Sequence, residues 1–196
     1  MGEGTRQSLL IRVRDPRDAE AWEQFAQVYA PLIYRFARKR GLQDADAADL
    51  SQIALTALME TLREGGYDRN RGTFRGWLFG LVRHQMQKYC DRNGRQPAGT
   101  GGTSMRHRLE EQPAPEADEI TVWDGEFERQ MFLAATERVR GEFHDSSWQA
   151  FWQTAVEGRG AADVGRVLGL SVGAVYTAKS RVLSRVKQEI ELMQEV

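Results

Sequence analysis

The sequence predicts an all-α protein, with two small helical domains joined by a flexible linker and a helix-turn-helix closing the second. Three observations predict it. Apolar residues recur every three to four positions through residues 18–92 and 121–191, and no strand-type alternation persists anywhere. Between these stretches Asn93–Glu119 shifts to Gly, Pro, Thr and acidic residues with no periodic apolar pattern, the composition of a mostly disordered tether. Near the C-terminus two short helical patterns flank Gly169, the spacing of a helix-turn-helix. With 196 residues, 41% of them hydrophobic, and five tryptophans, the chain can fill two small cores.

Taken in order, residues 1–17 are polar and read as a flexible N-terminal segment. Asp18 can cap a helix running through Trp22, Phe25 and Tyr29. Pro31 then ends that helix or starts the next, which carries Leu32, Ile33, Phe36 and Ala37 and stops at Gly41. Asp44–Glu64 is a long amphipathic helix closed by Gly65 and Gly66. At 100° per residue, Ala47, Leu50, Ala54, Leu58, Thr61 and Leu62 share one face, and Asp46, Asp49, Gln52, Ile53, Thr56, Glu60 and Arg63 the other. After the loop Tyr67–Gly72, Thr73 caps a fourth helix to about Arg92. That completes a first domain over 18–92. The linker is 93–120. The second domain, 121–196, opens with helices over Val122–Phe143 and Ser146–Val156.

The helix-turn-helix follows. Gly160–Leu168 is its first helix, with Val164, Val167 and Leu168 as the buried stripe and Gly169 as a left-handed stop. Ser171 caps the second, in which Val172, Val175, Val182 and Leu183 face a core, while Tyr176, Thr177, Lys179, Ser180, Arg181 and Arg185 look outward. A plain αα-hairpin would satisfy the same helix–Gly–helix pattern. Three details favour DNA. The outward face lacks Asp and Glu from Ser171 to Arg185, Gly173 and Ala174 keep the helix start thin, and the first helix is acidic to neutral.

Charge and composition exclude several classes. A net charge of −1 and a pI near 6.3 rule out coating nucleic acid by bulk charge, so DNA binding must come from local patches. Met1–Arg92 is such a local excess, with 15 Lys and Arg against 12 Asp and Glu. No apolar run approaches a membrane span, and the N-terminus lacks a signal-peptide core, so the protein is expected in the cytoplasm without a membrane partner. The lone Cys90, read as a buried small hydrophobe, excludes an intramolecular disulfide. His84, His107 and His144 show no ligand spacing, so neither a metal nor another cofactor is expected. No activated nucleophile or phosphate loop is visible, and Asp46 with Asp49 forms a carboxylate pair lacking any partner; the chain does not read as an enzyme.

DAADLSQ at Asp46–Gln52, FRGWL at Phe74–Leu78 with VRH at Val82–His84, and LGLSVGAVYTAKSRVLSRV together resemble bacterial RNA polymerase sigma factors of the extracytoplasmic-function (ECF) type, within the sigma-70 family. DAADLSQ at Asp46–Gln52 is similar to that family's acidic-acidic-Leu-x-Gln helix. FRGWL at Phe74–Leu78, followed by VRH at Val82–His84, resembles its Phe-x-x-Trp-Leu and Ala-Arg-Asn pattern. LGLSVGAVYTAKSRVLSRV resembles its recognition motif. The stretch WQAFWQTAVEGRGAADVG is similar to ECF factors abundant in planctomycete-like bacteria. Departures are Ala48 and Ile53 where Glu is usual, His84 where Asn is usual, and Tyr176, Ala178 and Lys179 in place of a more Arg-rich recognition helix.

The resemblance implies core RNA polymerase (β′ clamp helices and β flap) and promoter DNA as partners, with an anti-sigma factor or a Ser/Thr kinase as regulators. Tyr176, Thr177, Ser180 and Arg181 would read −35 base edges, and Lys179 and Arg185 would meet phosphates, although a simply solvated Arg185 fits as well. Arg75, Arg83, His84, Gln87, Lys88 and Arg92 would recognise and melt the −10 element, with Trp77 kept inside. Asp46, Asp49, Gln52, Ile53, Thr56 and Glu60 would bind core polymerase. A phosphate on Thr56 would replace charge lost at Ala48 and Ile53. A stand-alone helix-turn-helix regulator, binding operator without polymerase, is the alternative.

Overall fold

The structure is a computed structural model that describes residues 9–94 and 116–194, and every regular element among them is helical. The chain divides into two compact units after Gln130. The boundary expected at residue 120 therefore lies elsewhere, inside a helix. Within the predicted linker 93–120, residues 93–94 and 117–120 are helical, and residues 95–115 lie outside the described residues.

In the first unit, helix α1 (Leu9–Arg12) precedes α2 (Ala19–Lys39). The predicted flexible start is corrected over 9–17, because Leu10 and Val13 are buried. Arg12 also grips Asp18 with both ends of its guanidinium, Nε to Oδ2 at 2.8 Å and Nη2 to Oδ1 at 2.9 Å. Residues 1–8 lie outside the described residues. Asp18 is the expected N-cap, accepting the Ala21 N–H at 2.9 Å. Its carboxyl is held below the usual range first by the Arg12 hydrogen bond and then by the Ala21 amide.

Pro31 neither ends nor starts a helix. It sits inside α2, where an interior proline ordinarily costs ~3 kcal/mol. Burial outweighs that cost: Val28, Tyr29, Leu32 and Ile33 flank Pro31, and all four are buried on one continuous stripe. At about 1.5–3 kcal/mol for each large apolar side chain removed from water, breaking the stripe would lose more than the proline does. The Pro31 carbonyl also accepts a hydrogen bond from Arg35 Nε at 3.2 Å.

Helix α3 (Asp44–Arg63) buries the apolar face read from its periodicity, and Ser51 joins that face by donating its hydroxyl to the Ala47 carbonyl at 2.8 Å. A 3-10 turn (Arg69–Arg71) leads to α4 (Phe74–Gly94), capped by Thr73, whose Oγ1 accepts the Gly76 N–H at 3.2 Å. Leu78, Leu81 and Val82 are fully buried, while Trp77 is half-buried in an aromatic cluster with Tyr67 and Phe74. The unit is completed by the first part of α5 (Ala117–Val139), which begins five residues before the expected Val122. Trp123 is buried there, edge-on to Phe36 at 5.2 Å and tilted against Phe79 at 5.4 Å.

In the second unit, α5 passes through a 3-10 turn (Arg140–Glu142) to α6 (Asp145–Phe151), and a π-helical turn (Trp152–Val156) continues it to the expected end. Val139, Trp148, Phe151, Val182 and Val186 form one core; Ala150, Val164, Val175 and Ala178 form another beneath the helix-turn-helix.

Candidate nucleic-acid interface

The helix-turn-helix consists of α7 (Ala161–Leu168) and α8 (Val172–Gln194). Two glycines set its turn. Gly169 takes the left-handed conformation at φ 67°, as the sequence required. Gly165 permits the close approach: a Cβ there would lie 2.6 Å from the Leu170 carbonyl oxygen, and the Leu170 N–H donates to the Gly165 carbonyl at 2.8 Å. Ser171 caps α8 by accepting the Ala174 N–H on its hydroxyl at 3.1 Å.

The inward stripe differs from the sequence reading. Val164, Val175 and Val182 are buried as expected, but Val167, Val172 and Leu183 are exposed, and Leu168 is only half-buried. Gly165, Ala178 and Val186 occupy the inward positions instead. Gly165 and Ala178 are small enough to let α7 and α8 approach closely. Of the outward set, Tyr176 is 60% exposed, and Thr177, Ser180 and Arg181 are exposed too, with Lys179 half-buried.

Arg185 is half-buried and ion-paired, in place of the simply solvated or outward-facing side chain expected: it donates to Glu142 from Nε and Nη2, at 2.8 and 2.7 Å, and to Glu189 at 3.1 Å. The Glu142 hydrogen bonds are the main reason its affinity for the proton rises. A guanidinium engaged bidentately by Glu142 is less available to a phosphate, while its buried Nη1 has no partner among the described residues.

The six −10 candidates on α4 divide. Arg75 pairs with Asp124 at 2.5 Å and Glu128 at 3.6 Å, and lies over the Phe127 ring at 5.0 Å. Arg83 Nε pairs with Glu119 at 3.0 Å, with side-chain exposures of only 16% and 5%. His84 is buried. Gln87 and Arg92 are exposed and Lys88 is half-buried. Arg75 and Arg83 are thus ion-paired within the fold, and His84 is buried in it. The acidic side chains that claim Arg75 and Arg83 come from α5, 36 to 53 positions further along the chain, beyond the reach of any local pattern. Lys39 and Arg35 pair likewise with the buried Glu126, at 2.7 and 3.8 Å. Cys90, expected inside, is exposed.

On α3, Asp49, Gln52, Ile53, Thr56 and Glu60 form the expected exposed face. Asp46 is half-buried and accepts the Tyr89 hydroxyl at 2.7 Å. The Thr56 hydroxyl donates to the Gln52 carbonyl at 3.0 Å. Among the described residues there is no cluster of three or more His, Cys, Asp or Glu able to hold a metal, and no helix long and apolar enough to cross a membrane.

Residues 25–96 match Sigma-70 region 2. That stretch takes in α2 from Phe25 onward and all of α3 and α4, and with them the two motifs DAADLSQ and FRGWL. Among solved structures, "Structure of CnrH in complex with the cytosolic domain of CnrY" is 21% identical, over 93% of this chain and 95% of that one, with a TM-score of 0.36. No curated protein matches the chain. The family match covers the α3 face and all six α4 candidates, while the helix-turn-helix lies beyond it.

Proposed function

We propose that the chain is an ECF-type sigma factor that binds core RNA polymerase and directs promoter recognition, DNA opening and transcription initiation in the cytoplasm. The match of residues 25–96 to Sigma-70 region 2 carries this reading. In it, the exposed face of α3 (Asp49, Gln52, Ile53, Thr56 and Glu60, with Asp46 at its edge) docks on the β′ clamp helices. Gln87, Lys88 and Arg92 act on the opening −10 strand. Exposed Tyr176, Thr177, Ser180 and Arg181, with Lys179 beside them, meet the −35 duplex while the second unit contacts the β flap. An anti-sigma factor holds the chain inactive, and a Ser/Thr kinase acting on Thr56 adds the charge that Ala48 and Ile53 lack.

Gel shifts on candidate promoter duplexes, with and without core polymerase, test the reading. Specific binding is expected only with polymerase. Specific, tight binding by the chain alone would replace this reading with the stand-alone regulator. Arg181→Ala is expected to lower promoter-specific transcription while leaving core binding unchanged.

A further inference from the structure

We propose that the first two turns of α8 read thymine C5-methyl groups in the major groove through Val172 and Tyr176, which makes this unit selective for thymines at fixed positions. The inference rests on the promoter-binding reading above and adds the chemistry of its duplex contact.

Val172–Ala178 contains no charged residue. The side chains that end of the helix offers are Val172, 45% exposed, and Tyr176, 60% exposed. They lie four positions apart and so share a face. Their separation along the axis is about 6 Å, close to two base-pair steps at about 3.4 Å each. Gly173 and Ala174 lie between them on thin, exposed backbone, so nothing bulky holds the helix off a groove floor. Thr177 is exposed, but its hydroxyl proton is committed to the Gly173 carbonyl at 2.9 Å.

The usual specific contact, a bidentate arginine on guanine, is not on offer at this end. Arg185 is bound to Glu142 and Glu189. Arg181 follows Val172 by nine positions, about 14 Å further along the helix. What the first two turns of α8 present to a base edge is mainly apolar carbon, and the apolar group that a major groove displays is the thymine methyl. The absence of Asp and Glu from Ser171 to Arg185 keeps that approach free of phosphate repulsion.

Selection of duplexes from a random pool by the full chain, alone and with core polymerase, supplies the test. Each thymine of the enriched element is then replaced singly by deoxyuridine, which pairs identically and lacks only the methyl group. Two positions are expected to lose binding on the order of fourfold each, the size of one buried methyl-sized group. Val172→Ala should abolish the distinction at one position and Tyr176→Ala at the other, while Tyr176→Phe, which keeps the ring, preserves it. Both sites are exposed, so the variants should melt with the wild type. The proposal is overturned if no thymine is sensitive, if sensitivity survives in both alanine variants, or if no duplex is enriched. Whether enrichment requires polymerase is a separate readout. It decides the sigma reading and leaves the methyl test to run on the same element.

Discussion

Arg83→Ala separates a structural arginine from one that acts on DNA. In the folded chain Arg83 Nε lies 3.0 Å from Glu119 Oε2, and Glu119 is almost wholly shielded from water. Removing one member of a buried pair leaves an uncompensated charge and costs about 3–5 kcal/mol. Water reaching the partly exposed Arg83 side reduces this to about 2–3 kcal/mol. For a unit of this size each kcal/mol moves the melting temperature by about 4 °C, so a fall near 10 °C is expected. Calorimetry of the full chain would read it. The double replacement Arg83→Leu with Glu119→Leu should recover most of the loss, because a well-packed apolar pair substitutes for a buried ionic one at little cost. If Arg83→Ala melts within about 2 °C of wild type and still fails to open promoters, the pairing is incidental and Arg83 belongs on the DNA.

Three further outcomes are expected. Gly165→Ala must push a Cβ against the Leu170 carbonyl; it should lower stability in urea by about 1–3 kcal/mol, whereas Gly173→Ala, with nothing closer than the Ser171 hydroxyl at 4.0 Å, should not destabilise, and equal losses would contradict the turn geometry. Asp18 has its folded pKa lowered, so its contribution is complete above the unfolded value of about 3.9 and disappears as pH falls through the lower folded value; the gap in melting temperature between wild type and Asp18→Asn should hold above about pH 4 and narrow as the pH falls further. A gap constant to the acid end would remove Arg12 and the Ala21 amide as its cause. Ile53→Glu and Thr56→Glu should each tighten core polymerase binding, by roughly two- to fivefold at low salt; weaker binding by Ile53→Glu would mean that Ile53 packs on the partner as an apolar contact.

The helices were legible in the sequence because their signals are local. Periodicity assigned both faces of α3, and Asp18, Thr73, Ser171 and Gly169 perform the capping and turn roles their chemistry suggested. Pro31 stays inside α2 because tertiary burial, which no local pattern contains, overrides its local penalty. The exposure of Val167, Val172 and Leu183 is not legible locally, because a valine or leucine pattern does not register how closely Gly165 and Ala178 let the two helices approach. The candidate DNA surface suffered most. Whether an arginine is available depends on carboxylates far along the chain: Glu119 for Arg83, Asp124 for Arg75 and Glu142 for Arg185. No short motif contains that information.

Because α5 contributes Ala117–Gln130 to the first unit and its remainder to the second, neither unit can be excised at the composition shift. A fragment ending at Arg92 would strip Trp123 from Phe36 and Phe79 and leave Arg35, Lys39, Arg75 and Arg83 without their α5 carboxylates. Such a fragment should be sticky and poorly soluble at low salt. A fragment beginning at Thr121 would carry Trp123 and Phe127 bare on a half-helix, a surface prone to self-association.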